Sequence, residues 1–468
     1  MHTLGLIWMV AATGCLSRDI KDDALPTDPT LPTVGTAPIE FYGRRPKHLI
    51  MLSIDTFRKD HLGAHGDLGL TPFLDEIAAQ GVVLDDHHQC SNWTFASTTC
   101  TVAGRTNVER GHLPRLSGSR ENRPPVPAGT PFLATWLGQA GFESVLVSNN
   151  FWFGSEGPDD VSRWGNAQGF TRIRRPAASG AMAIFDASRP IVQELVEQGA
   201  ERFYLHMHFM EPHASYDPPA AFTEGIDELE PWPEDLRERE LHYAQRNDTL
   251  FLTPAELALF EAHLRRLYEG EIRTIDDRLR RIWRTLEREG YLDDTLVVIW
   301  NDHGEQFFEH GNQTHAYSLF DEEAGGFALF WARNIVPARW AGPTSTTDIV
   351  PTVLQAFGLP IPSEVTGFPV GTAPASRPIF QEALARRGGV QTIIRDGHKL
   401  HYRWNGEVQV FDRRLDPREL VDLADPTDPF QRSLWDELLP QVEAMRDLVV
   451  NGFPSPNLPS EWMSQEAE

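Results

Sequence analysis

The chain has 468 residues and a formal net charge of −25, with 67 acidic side chains against 42 lysines and arginines. Such a charge repels polyanions, which argues against nucleic acid as a partner. The 41% hydrophobic fraction and 13 tryptophans indicate a globular protein and exclude a disordered or fibrous one. An anionic substrate would need a local cation, for which a metal ion is the natural candidate.

The first 15 residues are typical of a bacterial lipoprotein signal. The apolar stretch over residues 4–12 is too short to span a membrane, and it leads through small residues to Cys15. We expect residues 1–15 to direct export to the cell envelope, in the periplasm or on the outer surface, with membrane attachment through lipidated Cys15. The alternative is a poorly ordered extension, since no lysine or arginine precedes the apolar stretch.

Residues 16–46 are rich in proline, aspartate and threonine, which predicts a linker. Beyond it, apolar runs at residues 48–54, 144–150, 202–209, 295–304 and 326–332 predict strands. Helices are predicted at Thr71–Gln80, Thr130–Gln139 and Leu257–Glu289, two of them with a threonine N-cap followed by proline. Residues 47–375 therefore predict an α/β domain with a large, mostly parallel sheet sandwiched by helices.

The pattern changes over residues 376–468. Two strand-like runs, at 393–404 and 407–412, flank Asn405-Gly406, which is a strong hairpin signal. A helix is predicted near Ser433–Val449. We expect a small C-terminal subdomain with an antiparallel sheet and one helix.

Side chains suited to chemistry cluster after predicted strands, where α/β sheets place their sites. Asp55 ends the first strand, and the other clusters lie at residues 91–105, 206–219 and 301–322. Each alone has an ordinary structural explanation, such as a helix cap or a loop histidine. Together they supply carboxylates, imidazoles and a hydroxyl at a helix start. This set suits a divalent metal that activates a hydroxyl nucleophile beside a helix N-terminus.

The chain resembles the sulfatase-like branch of the alkaline phosphatase superfamily. The resemblance rests on LSIDTFRKDHLGAHG, NWTFAS, FMEPHASYDPP and NDHGEQFFEHG, which occur in this order within residues 47–450. It implies an alkaline-phosphatase-like α/β fold and metal-dependent hydrolysis of phosphate or sulfate esters. The implied metal ligands are Asp55, Asp302, His303 and the Thr94 oxygen, around one divalent ion.

The resemblance also assigns the groups around the ester. His213 matches a histidine that contacts the ester group or the leaving oxygen, and His315 lies near the position of another basic group. Either histidine could protonate the leaving oxygen. Arg105 and Asn150 are implied in substrate binding, since Asn149 or Asn150 lies where sulfatases usually have a lysine.

The chain departs from ordinary sulfatases at the nucleophile. They use a formylglycine made from a cysteine that an arginine follows four residues on, whereas the matching residue here is Thr94. Neither Cys90 nor Cys100 has that arginine, so formylglycine chemistry is excluded. Whether these two cysteines form a disulfide or stay as buried thiols is left open. Related enzymes with threonine nucleophiles act on phosphoryl groups, which favours phosphoryl over sulfuryl transfer.

A second departure is Thr56, where many sulfatases have another aspartate; the metal is therefore left open among Mn, Mg, Ca and Zn. The substrate would be a small-molecule, glycan or lipid ester. Two alternatives remain: a catalytically inactive relative that binds a ligand, or a phosphotransferase to an acceptor alcohol.

Overall fold

The computed structural model describes residues 39–113, 125–154, 164–178, 180–223, 225, 229, 252–386, 388–449 and 455–463. The predicted signal segment 1–15 with Cys15, and residues 16–38 of the predicted linker, lie outside the described residues. All described residues belong to one unit, Pro32–Glu468. No helix among them has the length and hydropathy needed to cross a bilayer.

Two large sheets organise the chain. The strands are β1 (His48–Ile54), β2 (Val82–His88), β3 (Glu143–Ser148), β4 (Arg172–Arg174), β5 (Phe203–Phe209), β6 (Thr295–Asn301), β7 (Gln306–Phe307), β8 (Gln313–Thr314), β9 (Gly325–Gly326), β10 (Ala328–Trp331), β11 (Ala338–Ser345), β12 (Ile379–Ala385), β13 (Gly388–Arg395), β14 (His398–Arg403) and β15 (Val408–Asp412). The central sheet has the order β11–β2–β10–β6–β1–β5–β3–β4, with β9 paired to β2. β9 and β10 pair antiparallel and the others parallel, which confirms the predicted mixed, mostly parallel sheet.

Helices cover both faces of this sheet. They are α1 (Pro72–Ala79), α2 (Thr94–Ala103), α3 (Leu133–Gln139), α4 (Ala181–Glu197), α5 (Pro254–Arg288), α6 (Asp321–Ala324), α7 (Ile349–Ala356) and α8 (Pro429–Leu448), with 3₁₀ turns at Lys59–His61, Ala220–Phe222, Thr346–Asp348 and Ser460–Trp462. α1, α4 and α5 contribute to one buried apolar cluster, and α3 and α7 to a second. The core is therefore divided by the central sheet into two layers.

The predicted caps are partly corrected. Thr71 precedes α1 and Pro72 is its first residue, but the Thr71 side chain accepts a hydrogen bond from Gly63 instead of capping the helix. The Asp276 carboxylate on α5 accepts from the backbone N–H groups of Phe73 and Leu74. This cap is a tertiary contact, because Asp276 lies more than 200 positions along the chain from the helix that it caps. The sequence around α1 therefore cannot reveal it.

The C-terminal sheet has the antiparallel order β12–β13–β14–β15, and α8 packs against β13 and β14. The run 393–404, predicted as one strand, contains the end of β13, a turn at Asp396-Gly397 and β14. Both turn residues have positive φ, 51° and 76°, which is the geometry of a tight hairpin turn.

The end of the predicted linker is already part of the folded body. The Tyr42 N–H donates to the Asn334 carbonyl at 2.7 Å, Phe41 pairs with Ile335, and Ile39 packs on the core. The folded body therefore includes residues 39–46. This otherwise polar stretch contains aromatic and aliphatic side chains that can pack against the core.

Cys90 and Cys100 form a disulfide between the segment after β2 and the third turn of α2. Both cysteines are fully buried, and their Cα atoms are 6.7 Å apart. Of the two possibilities left open by the sequence, a disulfide or two buried thiols, the structure has the disulfide. It closes a loop that contains Thr94.

Candidate metal centre and nucleophile

Strand pairing brings the two key aspartates together. β1 and β6 are parallel neighbours, and their last residues, Ile54 and Asn301, lie opposite each other. Asp55 and Asp302 directly follow these two strands, so they leave the sheet side by side. Both carboxylates are fully buried. The site thus forms at the carboxyl ends of central strands, as α/β sheets favour.

Each aspartate has one oxygen held by the protein and one left over. Asp302 Oδ1 accepts from the N–H groups of Thr56, at 3.2 Å, and His303, at 2.8 Å, whereas Oδ2 is buried without a hydrogen-bond partner among the described residues. Asp55 Oδ2 accepts from Asn150 Nδ2 at 2.6 Å, and Asp55 Oδ1 likewise has no partner in the described part of the chain. A buried carboxylate oxygen without a donor is costly, unless a cation occupies the space beside it.

His303 completes the donor set. Its Nδ1 lies 3.0 Å from the Gly304 carbonyl, which can only accept, so Nδ1 carries the proton and Nε2 presents its lone pair. Nε2 lies 3.4 Å from Asp55 Oδ1 and 3.7 Å from Asp302 Oδ2. One donor atom each from Asp55, Asp302 and His303 lies within 4.8 Å of the others. Two carboxylates and an imidazole whose Nδ1 donates to the Gly304 carbonyl fit a divalent metal.

The electrostatics of the Asp55–Asp302 pair also favour a bound cation. Burial and the neighbouring charge of Asp55 raise the pKa of Asp302 well above its ordinary value. Burial also acts to raise the pKa of Asp55, but the imidazoles of His213, His208 and His303 outweigh it and hold that pKa below its ordinary value. Two carboxylates this close retain a proton in place of a cation.

Thr94 is the first residue of α2 and is 3% exposed. Its Oγ1 lies 3.4 Å from His303 Nε2 and 3.4 Å from Asn150 Nδ2. The ten-residue helix begins at this hydroxyl and has no acidic residue in its first turn, so its N–H groups are available to an anion. The hydroxyl therefore lies between the metal-ligand cluster and an anion-stabilising helix end.

Thr56 links the cluster to α5 through an unusual backbone. It has φ of +54°, a conformation that β-branched residues rarely adopt. Its N–H donates to Asp302, and its carbonyl accepts from the Tyr268 hydroxyl at 2.7 Å. Such strain, of order 1–3 kcal/mol, is typical of functional sites.

The two candidate acid groups lie together and are differently oriented. His213 Nδ1 donates to the Ala214 carbonyl at 2.6 Å, and its ring centre is 5.3 Å from that of His315. His315 Nδ1 lies 2.9 Å from Glu305, whose other oxygen accepts from Tyr216. Both half-buried rings thus have Nδ1 engaged and Nε2 left for other contacts.

The environments of these two rings shift their pKa values in opposite directions. Asp55 and Glu305 raise the pKa of His213 although burial acts against it, whereas burial and the neighbouring His303 and His213 push the pKa of His315 well below its ordinary value. His213 is thus the better proton donor and His315 the better acceptor.

The two predicted substrate-binding residues have different positions. Asn150 contacts both Asp55 and Thr94, and its own backbone is fixed by Ser148. Arg105 follows Gly104 at the far end of α2, roughly 15 Å along the helix axis from Thr94. The structure does not bring Arg105 to the cluster, and its role in substrate binding stays a prediction.

Several site residues were missed by sequence reasoning. Glu305 and Tyr216, which orient His315, lie within quoted motifs but have no local pattern that distinguishes them from surface residues. His208 is fully buried with Nε2 3.6 Å from Asp55 Oδ2. A sequence signal for it was available, because His208 is a histidine inside an apolar strand, one residue before the strand ends.

Comparisons with known proteins agree with this geometry. The sulfatase family model matches residues 47–359. The chain is 20% identical to an arylsulfatase of Clostridium perfringens over 431 residues, which cover 80% of this chain and 90% of the relative. It is 29% identical to a choline-sulfatase of Rhizobium meliloti over 171 residues, 34% of this chain and only 33% of that relative. A multifunctional alkaline phosphatase superfamily protein of Trinickia caryophylli is 25% identical over 50% of this chain and 48% of its own length.

Solved structures share the fold. A phosphonate monoester hydrolase from Silicibacter pomeroyi superposes with a TM-score of 0.63 at 18% identity, covering 86% of this chain and 96% of the other. A protein bound to its substrate D-glucosamine-2-N,6-O-disulfate gives 0.64 at 18%, covering 86% and 99%. The family match spans most of the α/β body and confirms the resemblance read from the motifs: the chain belongs to the sulfatase family.

Proposed function

We propose that this protein hydrolyses phosphate or sulfate esters with Thr94 as the nucleophile and one divalent metal ion held by Asp55, Asp302 and His303. The observation that carries the proposal is the convergence of two partnerless carboxylate oxygens and an imidazole lone pair beside the Thr94 hydroxyl. The proteins that this chain is similar to include a choline-sulfatase and a phosphonate monoester hydrolase.

When bound, the ion supplies positive charge that lowers the pKa of the hydroxyl and offsets the charge of the ester. Asn150, which contacts Thr94 Oγ1, orients the hydroxyl, and the first N–H groups of α2 stabilise the anionic group. Thr94 Oγ1 releases its proton to solvent and then bonds to phosphorus or sulfur while the bond to the leaving oxygen breaks.

The histidine pair moves the protons. His213, the ring whose environment favours the charged form, gives its proton to the leaving oxygen. His315, held by Glu305, accepts a proton from the water that then attacks phosphorus or sulfur and frees Thr94. An alcohol in place of water would make the same site a phosphotransferase.

The test compares two Thr→Val variants in the same helix. Thr94→Val should reduce turnover of aryl phosphodiesters, phosphonates and sulfates by at least about 10³-fold, whichever of Mn, Mg, Ca or Zn is added. Thr99→Val removes an equally buried hydroxyl of α2 and should retain activity. Full activity of Thr94→Val, or no metal uptake by the unaltered protein, would contradict the proposal and favour a ligand-binding relative.

We also propose export with lipid attachment at Cys15. A buried disulfide supports it, because disulfides persist in oxidising compartments. Metabolic labelling with palmitate should label the full chain and not its Cys15→Ser variant. Equal labelling of both would contradict the assignment.

A further inference from the structure

A fully buried row of polar side chains leads away from the candidate metal centre along the central sheet. Ser53 Oγ lies 2.8 Å from His208 Nδ1 and 2.9 Å from His206 Nε2. His206 Nδ1 lies 2.9 Å from the Tyr204 hydroxyl. At the other end, His208 Nε2 faces Asp55 Oδ2 at 3.6 Å. All five side chains are fully buried.

The strand register explains how the row forms. Tyr204, His206 and His208 alternate along β5, so they point to one face of the sheet. β1 pairs parallel with β5, and Ser53 lies opposite His208. Asp55 follows two residues later at the end of β1 and continues the row. Tyr204 is thus linked to the site across roughly 13 Å of strand.

The hydrogen bonds of this row have a preferred direction. The Asp55 carboxylate accepts only, so His208 presents Nε2–H to it and accepts at Nδ1 from the Ser53 hydroxyl. Ser53 then accepts from His206 Nε2–H, and His206 Nδ1 accepts from the Tyr204 hydroxyl. Among the described residues, Tyr204 has one other acceptor within reach, Met51 Sδ at 3.3 Å, and a thioether is the weaker acceptor. The opposite direction would set the His208 lone pair against the carboxylate.

Asp55 has few other supports. Its side chain has one hydrogen bond, from Asn150 to Oδ2, while Oδ1 faces the cluster without a partner in the described residues. Asn150 therefore fixes one side of Oδ2, and the His208 N–H is the group that approaches the same oxygen from β5. At 3.6 Å the His208–Asp55 contact is longer than a hydrogen bond, so His208 acts on this oxygen through the charge and dipole of its N–H group.

We propose that His208, Ser53, His206 and Tyr204 are positioning residues that orient the Asp55 carboxylate as a metal ligand, an inference that rests on the proposed metal-dependent function. His208 acts on Asp55 directly, and the other three set the tautomer and orientation of His208. Ligating carboxylates are commonly held by such outer contacts.

The experiment measures metal affinity, by titrating Mn²⁺ into the full-length protein freed of metal and detecting the unbound ion by electron paramagnetic resonance. His208→Ala should weaken Mn²⁺ binding by about 10- to 100-fold. Ser53→Ala and Tyr204→Phe each break one link and should weaken it by about 2- to 10-fold. Ser53→Ala and Tyr204→Phe are small enough to test the idea if His208→Ala does not fold.

Tyr402→Phe is the matched control. Tyr402, in the C-terminal sheet, is also fully buried, and its hydroxyl donates to the backbone carbonyl of Asn457 beyond α8, so its loss should leave Mn²⁺ affinity unchanged. In a His208→Ala background, Tyr204→Phe should cause no further loss, because its effect passes through His208. A purely structural role predicts an equal loss in both backgrounds.

Two failures are distinguishable. Unchanged Mn²⁺ affinity in Ser53→Ala and Tyr204→Phe would overturn the positioning role while leaving the metal centre intact. Absence of stoichiometric Mn²⁺ binding by the unaltered protein would overturn the proposed function and this inference together.

Discussion

Two regions of the molecule bury carboxylates completely, and they treat them in opposite ways. Glu323, at the end of α6, accepts from the backbone N–H groups of Tyr317 and Ser318 and from the side chains of Asn92 and Gln306, so both of its oxygens are satisfied. Asp55 and Asp302 each keep one oxygen without a partner among the described residues. Burial alone therefore does not distinguish the candidate metal ligands from Glu323, whereas their unmet acceptor oxygens do.

The largest effect is expected from Asp302→Asn. The amide keeps an oxygen that accepts from Thr56 and His303 but removes the carboxyl group, which burial and the charge of Asp55 force to hold a proton at a cost in free energy when no cation is bound. Metal affinity should fall more than roughly 100-fold, beyond the usual cost of an outer contact. Without metal, the variant should be more stable than the unaltered protein by about 1–2 kcal/mol. Urea unfolding in the presence of a chelator measures the stability of the metal-free variant. A variant less stable than the unaltered protein would contradict the proposed difference between Asp302 and Glu323.

Glu323→Ala should act in the opposite sense. Its donors would lose their shared acceptor inside the core, so the free energy of unfolding should fall by about 3–5 kcal/mol. Urea unfolding measures the change, with the exposed Glu443→Ala as control. A change in the free energy of unfolding as small as that of the control would show that the hydrogen bonds accepted by Glu323 do not stabilise this region.

Glu309 is a third kind of buried carboxylate, because its charge is paired with two arginines, Arg58 and Arg265. Burial acts to raise its pKa, but Arg58 and Arg265 outweigh it and lower the pKa from an ordinary 4.5 to about 2. The ionised form therefore stabilises the fold above pH 4.5, and this contribution is lost as the pH falls towards 2. Glu309→Gln should cost about 3 kcal/mol at pH 7 and progressively less below pH 4.5. An equal cost at pH 7 and pH 3 in urea unfolding would refute the linkage.

The smallest effect concerns the loop that carries Thr94. Replacing both Cys90 and Cys100 with alanine opens the closed loop and should lower the free energy of unfolding by about 2–3 kcal/mol. Reduction of the unaltered protein should have the same effect on its urea midpoint. A midpoint insensitive to reductant would contradict the disulfide.

Much of the fold could be predicted, because the strands that bear the site are apolar runs with clear ends. β1, β3, β5 and β6 begin and end close to their predicted residues. The sequence could not show the partners of these strands, nor that Asp276 caps α1, because both depend on contacts between distant residues. β13 and β14 were merged because Asp396-Gly397 lies within an otherwise continuous strand pattern.

The candidate site divides in the same way. Asp55, Thr94, Asp302 and His303 were predicted from motif position, and the structure places them together. Arg105 was also assigned from its motif position, but it follows the other end of α2, so its role in substrate binding stays a prediction. Glu305 and His208 were missed because their importance lies in what they hydrogen-bond, which no single-residue pattern records.

The register of β1 and β5 makes the site sensitive to chain length as well as to residue type. Histidines alternate with Leu205 and Met207 along β5. One residue inserted before His206 would exchange the two sets, which would direct aliphatic groups at Asp55 and imidazoles into the opposite apolar layer. Substitutions can therefore adjust this centre gradually during evolution, whereas an insertion or deletion in β5 would remove it in one step.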